Sequence, residues 1–168
     1  MENAKHWESF WGNAASITEN RPERYAKDIT LRYPIYVPFS GEAIRLTFDN
    51  FCGTESVTIS KVTVLYNDIF YPVTYNNERE MQIPAGDKIV TDVLDIKLEA
   101  DATIWVSFYL GDFTLMRAGV VTSGPLSSGM YSNGDQTESM KLEAATSRET
   151  QTFYFLTNIS CFLLNYFL

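Results

Sequence analysis

His6 is the only imidazole in a chain of 168 residues, and Cys52 and Cys161 are its only thiols. A hydroxyl or thiol nucleophile needs a base that is itself oriented by a third group, and zinc sites draw on several His and Cys together. His6 lies in a polar N-terminal lead, remote in sequence from any nucleophile or ligand cluster. The two cysteines are separated by most of the chain, a spacing that fits neither a CxxC redox pair nor a metal knuckle. Nor do two cysteines in a chain this long make a disulfide framework. Both read as free thiols, Cys52 as a small apolar group beside the turn FCGT. The residues therefore predict a binding or structural domain with no catalytic residue, cofactor or metal of its own.

Other side chains could recognise a ligand. Trp105 and Tyr109 fall on the outer face of the strand TIWVSFYL, where they would form a platform for stacking sugar rings or be covered by another part of the chain. The polar stretch Ser123 to Glu138 carries Tyr131, Asn133, Asp135 and Gln136, convergent groups suited to a ligand or a domain interface, or else a surface excursion. Arg117 would anchor that stretch through a carboxylate such as Asp135. Arg32, Arg45 and Asp49 project outward from neighbouring strands, as a polar recognition patch or a cross-strand ion-pair ladder. Asp112, Asp135 and Glu138 could in principle meet calcium, but no carboxylate run has the spacing of a calcium loop.

These residues need a scaffold, and its signature is a period of two. Ile29, Leu31, Tyr33, Ile35 and Val37 alternate with Thr30, Arg32, Pro34 and Tyr36, and the same alternation returns in 42–51 and 103–110. Pro34 cannot donate to a ladder, which predicts an edge or a bulge there. The phase slips between Ile59 and Val62, predicting a second bulge, and Asn76-Asn77 reads as a turn with left-handed backbone. Residues 122–150 have no sustained period and read as a long loop.

Eight or nine short strands without a helix predict an all-β fold, an antiparallel β-sandwich of jelly-roll type like those of galactose- and carbohydrate-binding domains. The expected divisions are a lead at 1–27 that plugs a sheet end, a sandwich at 28–160 and an apolar tail at 161–168. At this length one core is large enough without staples. The apolar content is 45% and the formal charge is -8, which argues against nucleic acid because phosphate binding needs clustered cations. The run CFLLNYFL is too short to span a bilayer. Without a signal-peptide pattern the default compartment is the cytoplasm, with secretion left open.

Four blocks, ITLRYPIYVPFSGEAIRLTFDNFCGTESVTISKVTV at 29–64, IPAGDKIVTDVLDIKL at 83–98, IWVSFYLGDF at 104–113 and FYFLTNI at 153–159, together resemble the N-terminal accessory domain preceding the catalytic domain of bacterial SGNH (GDSL-type) hydrolases. The resemblance spans nearly the whole chain. It implies a jelly roll that ends in a strand like FYFLTNI, with the catalytic Gly-Asp-Ser block shortly after. The chain holds no Gly-Asp-Ser, Gly-x-Asn-Asp or Asp-x-x-His, so no serine, oxyanion group or acid-base pair maps onto it. Gly134-Asp135-Gln136 has Gln where serine would stand and precedes the last strand.

The resemblance implies a non-catalytic domain that packs on a hydrolase domain absent from this chain, whose substrate would be an acylated carbohydrate or similar ester. An independent carbohydrate-binding module and a domain that self-associates through its apolar tail stand as alternatives.

Overall fold

The computed structural model describes residues 4–17, 24–144 and 146–165. Among them no helix occurs, and the strands form antiparallel sheets. The fold is an all-β sandwich. One principal sheet runs β1 (Ala4–Gly12), β18 (Leu156–Asn165), β5 (Gly41–Asp49), β10 (Lys88–Val90), with β11 (Leu94–Leu98) also paired to β5. The other runs β16 (Arg148–Thr150), β15 (Gly129–Asn133), β4 (Ile29–Val37), β12 (Ala102–Leu110), β7 (Lys61–Tyr66), β8 (Ile69–Val73). Small ladders join β3 (Tyr25–Ala26) to β13 (Thr114–Leu115), β6 (Val57–Ile59) to β9 (Met81–Ile83), and β2 (Ser16–Ile17) and β17 (Thr152–Tyr154) to the two sides of β14 (Ala118–Val121). No helix among the described residues is long and apolar enough to cross a membrane.

The period-two apolar sets meet between the sheets. Leu31, Tyr33 and Ile35 of β4 share a core with Ile104, Val106 and Phe108 of β12 and with Ile44, Leu46 and Phe48 of β5. Phe48 and Phe108 join the layers edge to face, at 5.3 Å between centroids and 77° between planes, the geometry ring quadrupoles favour. Tyr33, fully buried, stacks on Phe153 at 4.2 Å. Its hydroxyl donates to Thr152 O and accepts from Tyr154 N, both at 3.0 Å. Burial pushes its pKa well up, so this phenol stays neutral and its polar end is satisfied by β17.

Several expectations change. The lead does not plug a sheet end: Ala4–Gly12 is an edge strand along β18, with a register shift between Ser9 and Trp11. That irregularity hides the period of two and brings both Phe10 and Trp11 against the core. The tail does not begin at 161. Cys161 to Asn165 continue β18, and Cys161 is fully buried. Over Cys161 and Phe162 the backbone pairs with β1 on one side and β5 on the other, so this stretch presents no free edge for self-association. Positions 166–168 lie outside the described residues.

The slip between Ile59 and Val62 is a change of sheet rather than a bulge. β6 pairs with β9, β7 pairs with β12 and β8, and Ser60 N at the junction donates to Tyr109 O at 2.8 Å. Pro34 sits where β4 lacks a neighbour on one flank, since the β15 ladder reaches only Arg32. Asn76 and Asn77 have φ of 51° and 65°, as a left-handed turn requires.

The stretch 122–150, expected as a long loop, holds two strands, and β15 lies directly beside β4. Gly129 permits that approach, because a Cβ there would fall 2.3 Å from Tyr33 Cδ1. Gly129→Ala is expected to destabilise the fold by about 1 to 3 kcal/mol, read as a lower urea midpoint at constant slope. An unchanged midpoint would mean that Tyr33 is free to move aside.

Candidate functional site

The outward face of the second sheet can be read from its register. One row crosses it as Met130, Arg32, Ser107, Thr63, a second as Ser132, Thr30, Tyr109, Lys61, and a third as Pro34, Trp105, Leu65, Phe70. An outward sheet face is ordinarily wet, yet Thr30, Arg32, Thr63, Ser107 and Ser132 are all buried. Residues 134–144 lie back over them as a strap.

The strap is held by backbone and short polar side chains. Gly134, at a φ of 79°, turns the chain out of β15, and its N–H donates to Asp28 O at 2.7 Å. Thr30 Oγ1 donates to Gly134 O at 2.7 Å and accepts from Gln136 N at 2.9 Å. Thr63 Oγ1 donates to Thr137 O at 2.7 Å. Gln136 fastens the strap to itself: its amide donates to Ser132 Oγ and Asn133 O, and its carbonyl accepts from Glu143 N. Arg32 lies beneath, 5% exposed, with Nε on Ser107 Oγ at 2.6 Å, Nη2 on Gln136 O at 3.1 Å and Nη1 on Met140 O at 3.3 Å.

Between the strap and the β7–β8 turn is an open cleft of about 670 Å³. Trp105, half-buried, lines it with Leu65, Met130 and Met140, and Arg32, Asp68 and Lys141 supply its charged groups. A mainly apolar concavity with a few polar groups is what small-ligand sites offer. The Trp105 indole can stack on a ring, and methionines adapt to irregular shapes.

The sequence-derived candidates divide around this cleft. Trp105 lines it. Tyr109 shares the outward face but is engaged elsewhere: its hydroxyl donates to Asp28, and that bond, with burial and the charges of Asp28, Asp135 and Asp112, pushes its pKa up to about 12. Tyr131 pairs with Leu31 and so points to the opposite, core-side face, where it lines a separate pocket of about 350 Å³ with Arg24, Tyr25, Glu149 and Tyr154. Trp105 and Tyr131 therefore cannot share a ligand. Asp135 and Gln136 belong to the strap, and Asn133, the last residue of β15, accepts at its carbonyl from the Gln136 amide.

Arg117 does not reach Asp135 as an ion pair. Its Nε donates to Cys52 O at 3.0 Å, while Asp135 meets Lys61 Nζ at 2.7 Å. Nor do Arg32, Arg45 and Asp49 form a ladder, because β4 and β5 belong to different sheets. Arg45 lies over the Trp7 ring at 4.2 Å, and Asp49 Oδ1 accepts from Phe51 N. Asp135 and Glu138 each face a cation, Lys61 and, at 3.8 Å, Arg79. No group of three or more His, Cys, Asp or Glu is placed to hold a metal among the described residues. His6 Nε2 lies 3.1 Å from Glu8 Oε1 on the edge strand. Burial raises the Cys161 thiol to about 11, so it is protonated at neutral pH.

Sequence reasoning missed Leu65, Asp68, Met130, Met140 and Lys141, which come from three separate segments. Of the cleft's charged groups the sequence pointed to Arg32 alone, as an outward cation of β4. Comparison with protein-family models gives no match, and comparison with curated proteins gives none.

Desolvation pushes the Asp135 carboxyl upward, but Lys61 and the Thr137 hydroxyl and N–H outweigh it and hold the pKa below the usual carboxylate range. A depressed folded pKa contributes stability that is full above the unfolded value, about 3.9, and is lost as pH falls through the folded value. Asp135→Asn should remove about 1 kcal/mol at pH 7 and flatten the loss of stability between pH 5 and 2. Faster hydrogen exchange at Gln136 and Glu143 would mark the loosened strap, and unchanged exchange would show that Asp135 does not hold it.

Proposed function

We propose that the chain is a non-catalytic jelly-roll domain of an SGNH (GDSL-type) esterase architecture, which holds carbohydrate in the Trp105 cleft and leaves ester chemistry to a separate hydrolase domain. One observation carries the binding half of this reading. A half-buried tryptophan on an outward sheet face lines an open cleft beside an arginine and an aspartate. Sugar rings present C–H faces that lie against an indole and hydroxyls that need donors and acceptors. The accessory half rests on the four resembling blocks, 29–64, 83–98, 104–113 and 153–159.

Three groups that could activate a nucleophile are held in other arrangements. His6 lies beside Glu8, the Cys161 thiol is raised, and Asp135 is paired with Lys61. None of these residues lines the cleft.

Calorimetric titration with acetylated and deacetylated oligosaccharides tests the reading. Trp105→Ala should weaken binding by about two- to tenfold, matching the roughly 0.5 to 1.5 kcal/mol that a ring stack contributes, while Tyr131→Ala leaves it unchanged. The purified chain should not turn over p-nitrophenyl acetate. Absence of glycan binding, or turnover abolished by changing one residue of this chain, would overturn the proposal.

A further inference from the structure

We infer that the Trp105 cleft takes a carboxylate-bearing sugar, a uronate, with Arg32 as the cation that meets its carboxylate. This rests on the carbohydrate reading above and narrows it to acidic glycans. The observation behind it is an imbalance of charge. Arg32 is 5% exposed, and its three hydrogen bonds end on a hydroxyl and two peptide carbonyls, all neutral. None of the ion pairs among the described residues includes it. Burial alone lowers its pKa.

A buried charge is ordinarily matched by an opposite one, because its lost hydration is costly. A guanidinium carries five N–H donors. Three are used, leaving one on Nη1 and one on Nη2, and the side chain lines the cleft. One N–H on each terminal nitrogen is the number of donors that a bidentate carboxylate takes from a guanidinium.

The rest of the lining agrees with such a ligand. Arg32 and Lys141 are opposed by Asp68, so the cleft lining carries one net positive charge on a protein whose formal charge is -8. Asp68, on the turn after β7, offers an acceptor for sugar hydroxyls, and Trp105 offers a ring face. The Ser107 bond to Nε and the two strap carbonyls fix the guanidinium plane before any ligand arrives, which reduces the ordering cost of binding.

The test is a paired titration of the full chain with tri-galacturonate and with its neutral methyl-ester counterpart. Tri-galacturonate should bind at least tenfold more tightly, and raising sodium chloride from about 50 to 500 mM should shrink that preference severalfold through screening. Arg32→Lys keeps the charge without the fork and should reduce the preference to less than threefold. Because Arg32 also supports the strap, Lys141→Ala serves as a second variant, expected to reduce the preference about twofold with an unchanged melting curve. Equal affinity for the two ligands would overturn the assignment of a carboxylate and leave the carbohydrate reading intact. Binding of neither, nor of any neutral oligosaccharide, would overturn both. A folded Arg32→Lys protein that keeps the full preference would overturn the role of Arg32.

Discussion

A guanidinium kept under a strap with only neutral acceptors is the constraint around which the outward sheet face is arranged. Arg32 must lose most of its hydration, and three hydrogen bonds repay part of that loss. Those bonds need Ser107 directly across from it in β12 and the carbonyls of Gln136 and Met140 above it, so the arginine fixes where the strap crosses the sheet. Thr30, Thr63 and Ser132, short hydroxyls that hydrogen-bond upward, complete a polar layer where a wet surface would otherwise be. The cleft is the space that remains where this layer gives way to the Trp105 row.

Beneath the sheet the neighbouring residue performs the opposite task. Tyr33 follows Arg32 in β4 and points into the core, where its ring stacks on Phe153 and its hydroxyl bridges Thr152 and Tyr154. One strand thus couples a polar layer on one face to an aromatic layer on the other, and Gly129 in β15 leaves room for the Tyr33 ring. A shift of register by one residue would exchange Arg32 and Tyr33 between these environments, and both would be lost together.

Much of the fold was legible because alternation is a strong signal. The paired sets around Ile29–Val37 and Ala102–Leu110 became central strands, and Trp105 and Tyr109 emerged on the outward face as their parity demanded. The weaker parts failed for identifiable reasons. β1 was obscured by the irregularity at Phe10, and β15 by a composition of Gly, Ser and Asn that has little strand preference alone and is held by β4 instead. Arg32 read as a surface cation because a period of two places it outward, and nothing local says that a strap arrives more than a hundred residues later.

From the amino-acid sequence alone came the all-β class and the parity of each strong strand, because these depend on residue type and short-range period. The tertiary structure alone decided that Trp105 and Tyr131 face opposite ways, that Asp135 meets Lys61 instead of Arg117, and that Arg32 is buried at a cleft. The physical reason is that pairings between distant segments are settled by packing and by the need to satisfy every covered polar group, and neither is encoded in any local stretch of chain.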